Sequence, residues 1–197
     1  MSSREKILGA VKKNQPGLIP LSEKNFVSGV PGSVQQFEAT LKAIGAQVFF
    51  ITDGEDIISY IENLFPEAKR LVSSVTSIEK HFINDHKNVV HNTLQDVDVS
   101  VIKAQFGVAE NGAVWVTEDD LKIRVLPFIC EHLVAIVDSR DILSNMHEAY
   151  ERVGSMDYGF AAFIAGPSKT ADIEQSLVLG AHGPKSMSVL IRRSNQL

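Results

Sequence analysis

The apolar residues of this chain fall into two rhythms, and their order predicts an α/β protein. Ile7, Leu8 and Val11 recur at helical spacing among charged residues, the pattern of an amphipathic first helix. Val34, Phe37, Leu41 and Ile44 repeat that spacing. Gly45 ends the helix, and VFFI follows as a buried strand. A helix over EDIISYIENLF, a strand over RLVSSV and a short strand over HKNVVH come next. The segment DVSVIKAQFGVAENGAVWVTE holds two β-rich runs around Asn111-Gly112, a strong hairpin signal. LVAIV is a continuous apolar run suited to a sheet centre, and DILSNMHEAYERV reads as a helix with Asp138 to Asp141 offering caps. Near the C-terminus FAAFIA enters a Gly-Pro-Ser turn, then a short helix, a Gly-His-Gly-Pro turn and MSVLI. That order describes two parallel strands joined by a helical crossover.

Together these elements predict one structural domain with a mixed, mostly parallel sheet flanked by helices. Residues 1–32 form an N-terminal helix and wrapping linker, marked by Pro16, Gly17, Pro20, Gly29, Pro31 and Gly32, and 33–197 form the α/β body. At 197 residues the chain is long enough to bury a substantial core, and its 44% hydrophobic and 22% charged residues are ordinary for a soluble protein. The net charge of −5 argues against a general nucleic-acid surface, which needs clustered Lys and Arg. A single cysteine, Cys130, excludes an internal disulfide framework and an iron–sulfur cluster held by several thiolates of this chain. No apolar run is long enough to span a membrane, and the first residues lack a signal-peptide core. The expected location is the cytoplasm.

Candidate chemistry gathers at two places. Glu110 closes an apolar strand immediately before the Asn111-Gly112 turn. Partial desolvation there would raise its pKa and suit it as a base or nucleophile; a turn glutamate facing water is the structural alternative. The second place is the C-terminal stretch, where Ser168 or Thr170 would cap the expected helix and its N-terminus would receive an anion. Gly166, Asp172, His182 and Gly183 would surround it, with Asp172 and Glu174 also explicable by the helix dipole and Gln175 by solvent exposure. Ser168-Lys169-Thr170 only mimics the end of a phosphate-binding loop, since the required glycines are missing, and Lys169 reads as a solvated first-turn lysine. His81, His86 and His91 are five apart, which places them on different helical faces, and no metal site is expected.

These residues carry a resemblance. AGPSKTADIEQSLVLGAHGPKSMSVLI is similar to the C-terminal signature of the LUD-domain family. Gly107 to Gly112 matches its Ala-Glu-Thr-Gly segment with Asn111 in place of Thr, and Arg124 to Val137 places His132 at a family histidine. The resemblance implies a fold like that of CoA transferases and ribose-5-phosphate isomerase. It also implies a role in oxidising L-lactate to pyruvate beside iron–sulfur partner subunits, with this chain holding no cofactor of its own. The implied ligand is a small anion: a 2-hydroxy acid, a phosphate or a CoA-like molecule. Glu-Asn-Gly is also similar to the motif around the catalytic glutamate of class I CoA transferases. The alternatives are therefore a free-standing CoA-transferase-like or phosphosugar-type enzyme using Glu110, or a non-catalytic scaffold. His132 itself reads as a cap at the start of the LVAIV strand.

Overall fold

The structure is a computed structural model that describes residues 2–20, 32–52, 57–76, 78, 94–154, 156–173 and 176–193, the backbone path alone being given for 171–173 and 176–178. Its centre is a five-stranded sheet in which every neighbouring pair is parallel. The order across it is β1 (Gln47–Thr52), β11 (Ser186–Arg193), β6 (His132–Asp138), β3 (Val99–Lys103) and β2 (Leu71–Ser73). LVAIV lies in the middle strand, as its unbroken apolar run requires.

Alternate residues of the central strands enter different cores, because side chains switch face at each step of a strand. Leu133, Ala135 and Val137 of β6, with Met187, Val189 and Ile191 of β11, join one cluster. Val134 and Ile136, with Leu190, Val99 and Val101, join the other. Both faces are covered, which explains why these strands lack polar alternation. Helix α3 (Ile57–Leu64) covers the second face through fully buried Ile61. Helix α2 (Val34–Ala43) covers the first through Phe37 and Leu41, and Ser33 caps it at Gln36 N–H.

A second sheet shares that first face. Its order is β7 (Ile142–Leu143), β4 (Phe106–Val108), β5 (Ala113–Thr117) and β8 (Ala161–Ile164). Val114, Val116 and Ile164 point into the shared core, whereas Phe106, Trp115 and Phe163 pack beneath α6 (Met146–Val153). Gly107 is required where β4 passes α2, since a Cβ there would lie 2.6 Å from Phe37 Cζ. Two four-residue helices, α4 (Glu118–Leu121) and α5 (Leu126–Ile129), join β5 to β6.

Several expectations change. The expected α/β class with a mostly parallel sheet flanked by helices holds, but the antiparallel pairs lie outside that sheet, β4–β5 and β5–β8 in the second sheet and one further pair in a two-stranded sheet of its own. The Asn111-Gly112 hairpin forms between β4 and β5, but the preceding VSVIK run departs to the parallel sheet as β3. Asn145, not Asp138 to Asp141, caps α6; Asp138 instead caps a short 3-10 turn, Ser139–Asp141. The HKNVVH run, His81, His86, His91, Glu174 and Gln175 lie outside the described residues.

The largest change concerns the C-terminal signature. No helix follows Ser168: β9 (Lys169–Ile173) and β10 (Ser176–Leu179) form an antiparallel hairpin pairing Lys169 with Leu179 and Thr170 with Val178. Pro167 and Gly180 bracket two short runs containing β-branched Thr170, Ile173 and Val178, a composition that favours pairing over a single-turn helix. Ser168 closes the hairpin base by donating its N–H to Pro184 O and accepting from Gly180 N–H. β8 and β11 thus belong to different sheets, and the helix N-terminus expected to bind an anion does not exist.

The N-terminal helix α1 (Ser3–Lys13) is capped reciprocally by Ser2 and Glu5. It buries none of its residues.

Candidate functional site

The expected site residues separate into three groups. Glu110 is exposed, and its Oε2 accepts a hydrogen bond from Met146 N–H at 2.8 Å, so the carboxylate anchors the first turn of α6. This is a favourable placement for a negative charge and removes the expected desolvation. Asn111 turns its Oδ1 back to Ala113 N–H. Gly112 (φ +72°) and Gly166 (φ +72°) both press on Ile44, where an added Cβ would come to 3.0 Å of Ile44 Cδ1 and of Ile44 O respectively. Exposed Lys169 also reaches Ile44 O with its ammonium group, capping the end of α2. Asn111, Gly112 and Gly166 are brought together, but around a packing corner.

Ser168 and Gly183 form the second group, with a Gly183 Cβ position 3.1 Å from that of Ser168. His182 is exposed beside them and lines a hollow of about 360 Å³ at the amino ends of the parallel strands. Glu110 does not line that hollow, so the two halves of the expected pocket do not face each other. Thr170 and Asp172 sit on β9, apart from both. His132 begins β6, where its Nδ1 lies 2.7 Å from Ser186 Oγ and its ring stacks on Phe65, consistent with the expected strand cap.

The feature with ligand-binding chemistry lies at the opposite edge. In open α/β sheets, ligands bind outside the carboxyl ends of the strands. Here β2 runs into Ser74, β3 ends at Lys103, β6 ends at Asp138, and Arg192 stands near the end of β11. Two hollows of about 270 and 450 Å³ open there and share Lys103, Asp120 and Arg192 as lining.

Of the four acids lining this basin, Asp120, Asp138 and Asp141 are already engaged, while Asp119 stands exposed on the smaller hollow. Asp120 Oδ2 accepts from Thr117 N–H (3.0 Å), Thr117 Oγ1 (2.7 Å) and Gln105 Nε2 (2.8 Å). Asp138 receives a two-pronged contact from the Arg140 guanidinium, both at 2.9 Å, and this holds its carboxyl below the usual carboxylate range. Arg192 contributes to the same lowering through its charge. Asp141 pairs with Arg152 at 3.0 Å. Among the described residues, the side chains of Lys103, Lys122 and Arg192 make no hydrogen bond or ion pair.

Two further observations mark the place. Ser74 is 5% exposed, and its Oγ finds no hydrogen-bond partner among the described residues. A buried hydroxyl left unmatched costs about 1–3 kcal/mol, which a bound acceptor would recover. Lys122 has φ +60°, the only non-glycine with positive φ among the described residues. Such backbone strain collects at ligand-binding sites. Three cations without side-chain partners among the described residues, an unmatched hydroxyl and a strained turn thus line one basin.

This basin escaped the sequence reading, although its signal was present. VSVIK and SVLIRR are apolar runs that terminate in cations, and a parallel sheet brings such ends to one edge. Cys130, by contrast, is buried against β3, and burial pushes its thiol up to about 12. It is a core residue with no thiolate chemistry. Among the described residues no group of His, Cys, Asp and Glu could hold a metal ion, and no helix is long and apolar enough to cross a membrane.

Comparison with known proteins places this architecture in a family. An uncharacterized protein of Neisseria meningitidis serogroup B is 23% identical over 96% of this chain and 93% of its own length. Lactate utilization protein C 1 of Bacillus mycoides is 31% identical over 48% of this chain, and lactate utilization protein C of Geobacillus thermodenitrificans is 29% identical over 49%. In each of these two the match covers only 43% of the relative. The crystal structure of a duf162 family protein from Deinococcus radiodurans shares the fold, with a TM-score of 0.59 and 17% identity over 81% of this chain and 95% of that one. The LUD domain model matches residues 73–191, from the end of β2 to Ile191 within β11, and so the chain belongs to the LUD-domain family.

Proposed function

We propose that this protein takes part in lactate utilisation as a ligand-binding subunit. In this reading the carboxyl-edge basin receives the carboxylate of a 2-hydroxy acid or of its 2-oxo counterpart. The observation that carries it is the set of unpaired cations, Lys103, Lys122 and Arg192, beside the unmatched hydroxyl of Ser74. The likeness to lactate utilization protein C relatives supplies the substrate class. A carboxylate between Lys103 and Arg192 would gain charge-assisted hydrogen bonds, and Ser74 Oγ would donate to its oxygen or to the 2-hydroxyl. Oxidation at the substrate carbon would need an electron acceptor, and in this reading iron–sulfur partner subunits supply it.

A free-standing acyl-transfer role for Glu110 has less support, because its carboxylate is committed to Met146 N–H and lies outside the basin. The test is thermal unfolding of the purified chain with L-lactate, pyruvate or inorganic phosphate. A monocarboxylate at a hundred times its Kd should stabilise the fold by about 2.7 kcal/mol. The stabilisation should disappear in Lys103→Glu and Arg192→Glu. A strain lacking the gene should also fail on L-lactate as sole carbon source. No shift with any of these anions, or a shift that survives both substitutions, would refute the assignment of the basin. Normal growth on L-lactate would refute the role.

A further inference from the structure

The first twenty residues and the amino edge of the parallel sheet are each incomplete, and in opposite ways. Helix α1 holds Ile7, Leu8 and Val11 exposed on one side, and Leu18 and Ile19 beyond it are almost wholly in water at 103% and 86% exposure. A helix of 11 residues is marginal in water on its own, and an uncovered apolar face gives it no packing to draw on. The segment is basic: Arg4, Lys6, Lys12 and Lys13 against Glu5 leave residues 1–20 at +3. With the whole chain at −5, the remaining residues carry −8.

At the amino edge, a cleft of about 500 Å³ is floored by Leu64, Phe65, Pro66 and Ala68 and rimmed by Glu67, Asp98 and Glu131. The hollow of about 360 Å³ beside it shares Asp98 and Glu131 and adds Asp96 and the half-exposed Phe128. Lys185 is the one lysine lining either, and its ammonium is held by Glu131 at 2.5 Å. Asp96 is held by Arg70 and Asp98 by the Arg70 and Lys69 N–H groups, so exposed Glu67 is the rim carboxylate left for a cation, and an apolar floor beside it is the complement of an apolar helix face with basic flanks.

We propose that α1 of one copy docks in the amino-edge cleft of a second copy, and that the exchange is reciprocal. Ile7, Leu8 and Val11 occupy the floor formed by Phe65 and its neighbours, while Lys12, Lys13 and Arg4 meet Glu67 at the rim. A second copy is favoured because α1 buries nothing in its own chain and because two-fold pairing makes each contact twice, closing both exposed surfaces at once. The proposal is independent of what occupies the basin at the other edge.

The test is the mass of the full chain in solution, read by light scattering or sedimentation between about 1 and 100 µM. The wild-type chain should be a dimer that weakens with added salt, as complementary charge requires. Leu8→Asp should give a monomer with an unchanged melting profile of the α/β body. Lys12→Glu with Lys13→Glu, and separately Glu67→Lys, should each weaken the dimer at least tenfold. An equimolar mixture of those two variants should restore it, because the mixed pair holds one doubly reversed contact and one wild-type contact. A chain that stays monomeric throughout, a dimer indifferent to Leu8→Asp, or a mixture no tighter than its components would each overturn the proposal.

Discussion

The two edges of the parallel sheet differ in how their charges are used. At the amino edge Glu131 is held by Lys185, Asp96 by Arg70 and Asp98 by the Arg70 and Lys69 N–H groups, leaving Glu67 beside an apolar floor. At the carboxyl edge Asp120, Asp138 and Asp141 are each held by a neighbour, so what remains available is exposed Asp119 against the three cations Lys103, Lys122 and Arg192. Net charge alone would rank both places as mixed. Partner accounting separates them: a charge already hydrogen-bonded has less to offer a ligand than one left unmatched. The amino edge therefore suits an extended amphipathic surface, and the carboxyl edge suits a small anion.

The sharpest way to break this comparison is charge reversal on both sides. Arg192→Glu should weaken anion binding about a hundredfold, roughly 2.7 kcal/mol, whereas Lys185→Glu at the amino edge should leave it unchanged. Isothermal titration of the two variants with the same anion reads the difference directly. Equal losses would mean that the protein's overall field, not the basin, holds the ligand.

Ser74→Ala is subtler. Removing a hydroxyl that lacks a partner should leave stability level or slightly raised, yet cost about tenfold in affinity, or 1.4 kcal/mol. A fall in both melting temperature and affinity would show that Ser74 Oγ is structurally engaged.

Asp98 tests the other edge by pH. Hydrogen bonds from the backbone N–H groups of Arg70 and Lys69, at 2.8 and 2.7 Å, hold its carboxyl below its ordinary value of 3.8. Because the folded-state value lies below the unfolded one, the carboxylate stabilises the protein above the ordinary value. That contribution is lost as pH falls through the lowered one. Asp98→Asn should lower the melting temperature by about 2–4 °C at neutral pH and flatten its decline in acid. An unchanged acid slope would remove Asp98 from the account.

The smallest expected effect belongs to Glu110. Glu110→Ala should cost at most about 1 kcal/mol through the first turn of α6 and leave anion affinity untouched, as both read by calorimetry. A large loss of binding would return Glu110 to the site.

Much of the fold was legible because periodicity reports burial. The β6 run Leu133 to Val137 lacks polar alternation since both its faces are covered, and Phe37 and Leu41 fall on one helical face because one face is buried. The Asn111-Gly112 turn was equally readable, since few residues adopt the positive φ found at Gly112. The segment after Ser168 misled for a physical reason. Ser, Thr and Asp at its start are helix-capping residues, but they also favour turns, and over so few residues neither period accumulates. The Ser168–Pro184 and Ser168–Gly180 hydrogen bonds that decide the matter come from residues distant in sequence. The carboxyl-edge basin was illegible for a related reason. Lys103, Lys122 and Arg192 are unremarkable singly and become a site only once strand order is known.

The place of β11 in the sheet has a consequence for biogenesis. It is the last strand in sequence and yet separates β1 from β6. Until it has left the ribosome, β1 has no neighbour in the sheet and β6 presents an open, apolar edge. Nascent chains ending before Ser186 would hold two unsealed fragments, the condition in which strand edges recruit other chains. The final insertion of SMSVLIRR converts both at once, and it brings Arg192 to the anion basin in the same movement. Sheet closure and assembly of the carboxyl-edge basin are thus a single event, so a chain that cannot complete the first cannot display the second.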